Sequence, residues 1–405
     1  MSASTQKPIL ISGAGLSSLL LARALLSHAI PFEVYERDDS IYKRAQGYRL
    51  RLSAEGIDAI ESVLDPASFD KWFDGCSKTG GAGFQNLDAI TGEPSDIELA
   101  MGSGPRPGLT SRGGKVVGTE RAWLRSNLLE GLEDHVHWGK QVTGYELSPD
   151  GVYATFADGT KSPEGSMLVA GDGIRSAVAQ QLTNGALKVF DTGARLIHGQ
   201  APTSAFKSLG EGVWGMHDYS KPGAKLFCIT NVRPEDMDKP DVQLGWTMTG
   251  EPGVIQAPND DIAIGGKIAA DLAKRLTAGW AERFQPLFQD MNEDEAGFWK
   301  MTCSNPAGVP EWPNQPRVTL MGDSVHAMTP AGGIGANTAM RDSALLGRLL
   351  REAGGYKEGV TAEYEKVMRV YGSEAVKTSY GFAREMFKVL KPEDMKEVTG
   401  TVQQL

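Results

Sequence analysis

An α/β fold is predicted for this 405-residue chain: a parallel or mixed sheet covered by helices, interrupted by an α+β unit on an antiparallel sheet, and closed by C-terminal helices. Three patterns predict it. The stretch "KPILISGAG" is a short apolar strand ended by a glycine turn, and the helical run "LSSLLLARALLSHA" and the strand "PFEVYER" follow it, so a β-α-β unit lies within the first 37 residues. From about residue 185 to 300 the character changes, with short β-like runs ("ARLIHGQAP", "AKLFCITNV", "LGWTMTG") alternating with Gly/Pro turns before helices from 266 to 290. The segment "PRVTLMGDSVHAM" then restores the apolar strand expected of a buried parallel sheet. The first unit therefore resumes after an insertion, and the expected division is 1–183 with 301–355, 184–300, and 356–405.

The remaining elements follow in order. "RAWLRSNLLEGL" (121 to 132) reads as a helix, "VHWGKQVTGYEL" and "VYATFADG" contain short strands, and "GSMLVAGDG" is another strand ending in a turn. "NTAMRDSALLGRLLREAG" predicts a helix of about 18 residues with a glycine C-cap, and 361–389 predicts one or two more helices.

Composition narrows the function classes. With a net charge of −10 and no Lys/Arg-dense run, most of the surface would repel a nucleic acid. The cysteines, Cys76, Cys228 and Cys303, are few and widely separated, which indicates neither a disulfide framework nor a metal cluster. The N-terminus lacks a basic and apolar leader, and Arg23 breaks the run "LLLARALL", so the sequence reads as soluble, cytoplasmic and free of the membrane. Hydrolase, protease and NTPase readings lack their motifs.

Three motifs carry chemistry. Gly13-Ala14-Gly15-Leu16-Ser17-Ser18 follows a strand and opens a helix, where the two glycines allow backbone N–H groups to approach a pyrophosphate. Ser18 stands where a third glycine would serve close packing, so it implies either a wider gap or a small hydroxyl tucked against the strand. Glu36, 21 residues after Gly15, ends the second strand where a carboxylate accepts bonds from ribose hydroxyls. These features make the first domain Rossmann-like and leave FAD, NAD and NADP all open. The second motif, "LVAGDGIRSAV", places Asp172 in an Asp-Gly turn. In the third, "RVTLMGDSVHAMTPAGGIGANTAMRDSALL", Asp323 ends a strand and glycines 332, 333 and 335 lead into a helix whose first amides can stabilise negative charge.

Together, in this order, the three segments resemble the FAD-binding domain of the single-component FAD-dependent aromatic hydroxylases, the group A flavoprotein monooxygenases. The resemblance covers roughly residues 7 to 60, 115 to 180 and 315 to 355. It implies that Gly13, Gly15, Ser18 and Glu36 hold the ADP half of FAD and that Asp323 bonds the ribityl chain. Backbone at Gly335 and Ala336 would sit beside the flavin's pyrimidine edge. It also implies that Arg121, opening an R-x-x-L helix, contacts the cofactor, that Arg44 lies near the ribose and the nicotinamide path, and that Asp172 serves pyrophosphate and NAD(P)H. Arg37, directly after Glu36, is either a contact for a 2′-phosphate, which leans toward NADPH over NADH, or a solvated charge at the strand end.

The strand "GYRLRLS" alternates faces, so Arg49 and Arg51 share one side. In the family the strand after Gly47 runs along the isoalloxazine, and a guanidinium there would stabilise the negative charge of reduced flavin or of an anionic substrate. His198 occupies a position that the resemblance assigns to substrate contact. Arg195, three residues earlier, faces the opposite side of the strand, so one of the two lines the pocket. Trp214, His217, Tyr219, Phe227, Trp246 and Met248 supply a pocket or a core.

The activity implied is hydroxylation or epoxidation of an electron-rich aromatic or alkene carbon, with NADPH or NADH, O₂ and a flavin C4a-hydroperoxide. The overall character matches the fungal branch that tailors polyketides, indole alkaloids and terpenoids, with a bulky, apolar or aromatic small molecule as substrate. A flavin oxidase or Baeyer–Villiger enzyme, and a non-redox FAD-fold binding module, are the alternatives. A halogenase would need a W-x-W-x-I-P signature that the chain lacks. Oligomeric state is not legible.

Overall fold

The structure is a computed structural model that describes residues 6–41, 49–78, 84–95, 116–233, 236–239 and 242–398. Its first sheet is wholly parallel, in the order Val318–Leu320, Met167–Ala170, Ile9–Ser12, Phe32–Tyr35 and Val136–His137. Ile9–Ser12 lies at the centre with every residue buried, which is why its sequence is apolar without alternation. The helix Leu16–Leu26 covers this sheet and is covered in turn by the helix Gly335–Ala353. Ser343 Oγ donates to the Ser17 carbonyl at 2.7 Å across that contact. Gly347 lets the two helices close up, since a Cβ there would lie 2.8 Å from the Ala24 Cβ. As expected, the second helix ends at a left-handed glycine, Gly354, with φ 71°.

The second sheet runs Ala263–Gly265, Gly297–Ser304, Val189–Pro202, Gln243–Gly250, Leu226–Val232, Gly212–Asp218 and Phe84–Asp88, with Lys396–Glu397 added beside Val189–Pro202. Its pairings are antiparallel except that of Phe84–Asp88 with Gly212–Asp218. Thus a segment early in the chain completes the edge of the inserted sheet, and the strand Gly297–Ser304 runs across residues 300 and 301. A small third sheet joins Arg49–Leu52, Val117–Glu120 and Ser77–Lys78.

Strand alternation gives the second sheet two distinct faces. Ile197, Met216, Cys228, Met248 and Phe298 pack against the helices Lys267–Thr277 and Gln285–Gln289. Ala194, Leu196, Phe227 and Met301 point the other way, toward Ala331 and toward Ala383 and Phe387 of one long terminal helix, Val360–Phe387. The second face and the Ala331 loop thus bring the two sheets together. Among the described residues no helix is long and apolar enough to cross a membrane.

Candidate functional site

The glycine turn after Ile9–Ser12 is built so that only glycine fits. Gly13 has φ +87°, and a Cβ on it would lie 2.8 Å from the Asp172 Cα and the Gly171 carbonyl. Gly15 caps the helix Leu16–Leu26, which has neither a side-chain cap nor an acidic residue in its first turn, so its leading N–H groups point at an open position. Glu36 braces the turn: its Oε2 accepts from the Ala14 amide at 2.7 Å and its Oε1 from the Asp38 amide at 3.0 Å.

Arg125, which sequence reading passed over, completes the brace. Its Nε donates to the Ala14 carbonyl at 3.0 Å, a terminal nitrogen donates to the Ile41 carbonyl at 3.1 Å, and the other lies 3.8 Å from Glu36. The signal available was a charge beside the apolar register of Leu124 and Leu128; Arg125 is only 3% exposed, and a buried guanidinium needs such partners.

Ser18 is the small hydroxyl tucked against the strand, and its expected part in holding the ADP half is corrected. It is fully buried, and its Oγ packs so closely on Gly171 that a Cβ there would overlap it. It fills the gap between helix and strand and does not face a ligand, because a side chain closed off by protein has no surface to offer one. Asp172 sits directly beneath the turn, where burial raises its carboxyl pKa while bonds from Ser176 and Ser12 and the charge of Arg37 oppose the shift. Arg37 therefore faces the Asp-Gly turn across the second strand's end.

A second wall rises at residues 322–336. Gly322 (φ +61°) caps the short helix Asp323–His326 and presents Asp323 at its start. Protein surrounds the Asp323 carboxyl and pushes its pKa up, against the pull of His326 and Arg121, yet the residue is exposed. The charge of Arg121 is near enough to act on this exposed carboxylate. Beyond it, Gly332 (φ +85°) and Gly333 (φ +63°) turn the chain into the helix Gly335–Ala353, which again lacks a side-chain cap and a first-turn acid. Gly335 and Ala336 at its start are partly accessible.

Arg51 lies alongside. A Cβ on Gly333 would meet the Arg51 Cβ at 3.3 Å, so the arginine stem covers the glycine. Arg51 is exposed and Leu52 buried, as alternation requires. Asn337 ties these parts together: its Oδ1 accepts from the Ser53 amide at 2.9 Å, and its Nδ2 donates to the carbonyls of Arg51 at 3.0 Å and Gly333 at 2.8 Å. Arg49 belongs to the same strand, but its side chain, like all of Arg44 and Gly47, lies outside the described residues.

On the substrate side the structure separates the expected residues. Arg195 is held by Asp191 in a two-point ion pair at 2.7 and 2.9 Å. It lines a cavity of about 630 Å³ with Lys300, Asn259 and Lys396, none of whose walls comes from the glycine turns. His198 points to the opposite face, as alternation demands, but it is only 2% exposed. Burial pulls its pKa down to about 4, and its Nδ1 lies 3.3 Å from Thr247 Oγ1. By the same alternation His198 shares the loop-facing side with Ala194 and Leu196, enclosed beside Trp299, whose ring centroid is 6.3 Å away.

The aromatic group divides as well. Trp214, Trp246 and Met248 belong to the core under the helices, and His217 bonds Asn86 at 2.8 Å. The partly open apolar side chains on the loop-facing side instead include Ile229, Trp299 and Phe382. A Cβ on Gly332 would meet the Phe382 ring at 2.8 Å, so the ring lies directly on the loop.

Comparison with known proteins agrees with this geometry. The FAD binding domain family model matches residues 274–377. A dual O-methyltransferase/FAD-dependent monooxygenase of Phaeosphaeria nodorum is 32% identical over 386 residues, 84% of this chain and 40% of that protein. The matched model is an FAD binding domain, and the relatives that align with most of this chain are FAD-dependent monooxygenases. The chain spans less than half the length of the first curated relatives it matches, 40% here and 46% of the Cercospora beticola counterpart, which is 27% identical over 94% of this chain. An FAD-dependent monooxygenase of Trichoderma harzianum is 26% identical and aligned over 89% of this chain and 86% of its own length.

Solved structures with the same fold include 2,6-dihydroxypyridine-3-hydroxylase from Arthrobacter nicotinovorans, with TM-score 0.71 and 16% identity over 98% of this chain and 99% of that one. Klebsiella pneumoniae HpxO complexed with FAD and uric acid gives TM-score 0.70 and 20% identity over 94% of this chain and 89% of that one. The matched model is an FAD-binding one and the HpxO structure holds FAD; the residues present here fit that cofactor. Two uncapped helix N-termini supply amides for an anionic pyrophosphate and for an electron-rich ring edge, and an accessible carboxylate stands between them.

Proposed function

We propose that the protein is a FAD-dependent monooxygenase that uses NADPH or NADH and O₂ to place one oxygen atom on an electron-rich aromatic or alkene carbon of a bulky, apolar small molecule in secondary metabolism. The observation that carries this reading is the junction of the second sheet with the 330–336 loop. There the uncapped helix start at Gly335 opens beside an apolar wall of Ile229, Trp299 and Phe382. Bound FAD supplies hydride acceptance and oxygen activation at such a junction.

The chain's own residues bind and orient. Gly13 and Gly15 admit the pyrophosphate to the first helix start, with Glu36 and Arg125 bracing the turn and Asp172, facing Arg37, beneath it. Asp323, near the charge of Arg121, would accept from hydroxyls of the FAD ribityl chain. The Gly335 and Ala336 amides at the helix start, with the guanidinium of Arg51 beside them, would hold the flavin end of FAD and favour negative charge there. The apolar wall excludes water and holds a planar substrate against the ring. The nucleotide unit would comprise 1–183 with 301–355, the substrate unit 184–300, and the terminal unit 356–405, with Phe84–Asp88 donated to the substrate sheet.

Relatives whose names join an O-methyltransferase to the monooxygenase favour phenolic or methoxylated aromatic substrates. The test is to incubate flavin-loaded protein with NADPH, ¹⁸O₂ and a panel of polycyclic phenols and simple phenolic acids. A product carrying one labelled atom from a polycyclic phenol supports the proposal. Dehydrogenation of a substrate that yields one hydrogen peroxide per turnover, with no NADPH consumed and no labelled oxygen in the product, would move the assignment to a flavin oxidase.

A further inference from the structure

Behind the exposed Asp323 lies a buried group of polar side chains that the reading above does not use. Asp342, in the helix Gly335–Ala353, is fully buried and accepts three hydrogen bonds. Its Oδ2 takes the Gly322 amide at 2.6 Å and His326 Nε2 at 2.7 Å, and its Oδ1 takes the Tyr371 hydroxyl at 2.6 Å. These partners come from two places: Gly322 and His326 bracket Asp323, and Tyr371 belongs to the terminal helix Val360–Phe387.

The terminal helix follows the whole cofactor-facing loop with one face. His326 packs on bare backbone at Gly372, where a Cβ would lie 3.1 Å from its ring. Thr329 Oγ1 donates to the Ser379 carbonyl at 3.1 Å, and Ser379 Oγ donates to the Thr329 carbonyl at 2.8 Å. Phe382 lies on Gly332. Residues 371, 372, 375, 379 and 382 fall on one side of a helix, and each meets the segment 322–334 or its backing carboxylate.

We propose that Asp342 is a positioning residue for FAD, clamped by Tyr371 so that it holds the Gly322 turn in the left-handed conformation that presents Asp323. Gly322 has φ +61° and ψ −141°, a conformation that needs support even for glycine when its amide is buried. A carboxylate accepting three bonds inside the protein supplies it. His326 packs between this carboxylate and the terminal helix, and Asp342 draws it toward its protonated form against the opposing effect of burial. The terminal helix thereby supports the site through Tyr371 and the carboxylate it clamps.

The proposal rests on FAD binding, and the experiment separates the two. FAD titration of the full chain stripped of flavin, followed by flavin fluorescence, gives a dissociation constant for wild type, Asp342→Asn, Tyr371→Phe and His326→Gln. Visible circular dichroism of the bound flavin reports ring orientation, and melting of the flavin-free chains reports stability. Tyr371→Phe removes one hydroxyl and keeps the ring, so it folds even if Asp342→Asn does not. Expected are FAD affinity weakened roughly tenfold in Tyr371→Phe and more in Asp342→Asn, with an altered flavin dichroism. Affinity and dichroism equal to wild type in Tyr371→Phe and His326→Gln, even with lowered melting temperatures, would overturn the positioning role and leave a structural one. A wild-type chain that takes up no FAD overturns the cofactor assignment itself.

Discussion

The side-chain amide of Asn337 donates to the Arg51 carbonyl at 3.0 Å, joining residues 286 positions apart in the chain. The same amide holds the Gly333 carbonyl and the Ser53 amide, so the strand bearing Arg51 and the loop before Gly335 have one common tether. Replacing Asn337 with alanine removes these bonds and leaves buried backbone groups unpaired. The expected loss of stability is about 2–4 kcal/mol, read from denaturant unfolding. Asn337→Asp should be no better, because a second acceptor would face the carbonyls of Arg51 and Gly333. Wild-type stability in both variants would remove the tether from the account.

Arg51 itself is expected to tune the flavin. Its stem lies on Gly333 beside the helix start that would receive the reduced ring's negative charge. Arg51→Ala should lower the two-electron midpoint potential by roughly 30 mV or more, equivalent to about 1.4 kcal/mol, with Arg51→Lys intermediate. Anaerobic titration against a reference dye measures it. An unchanged potential would place the guanidinium away from the ring.

The pair Ser18 and Gly171 gives a packing test. A Cβ at Gly171 would overlap Ser18 Oγ, so Gly171→Ala should destabilise the protein by about 1–3 kcal/mol through overpacking. Ser18→Gly opens that space, and the double variant should recover part of the loss. A strictly additive cycle in thermal or denaturant unfolding would show that the two residues do not compete for the same space.

Two buried histidines set an acid limit. Burial lowers the pKa of both His198 and His217 to about 4, with the nearby Lys225 adding to the shift at His217. Because the folded values lie below the ordinary value near 6.5, their neutral forms favour folding above that pH. This contribution is lost as pH falls from about 6.5 toward 4, on the order of 1–3 kcal/mol for each group. Unfolding free energy measured at pH 7.5 and 5.0 should fall on acidification, and the fall should be smaller in His198→Asn. An equal fall in wild type and variant would assign the acid sensitivity to other groups.

What the sequence determined by itself is local. The strand, glycine turn and helix around Gly13 and Gly15, the acid at Glu36, and the glycine run entering the helix at Gly335 were all legible, because their geometry depends on residues within a few positions of one another. Arg195 and His198 were separable by strand period alone. Tertiary structure decided which groups are left open to solvent or enclosed. It closed His198 into the sheet, committed Arg195 to Asp191, sent Trp246 and Met248 to the helix-covered face, and left Ile229, Trp299 and Phe382 beside the loop. It also brought Arg125, Asn337 and Asp342 onto backbone groups distant in sequence. A buried polar side chain acquires its role from whichever unpaired backbone groups the packing of remote segments brings to it, and residue order alone does not specify those neighbours.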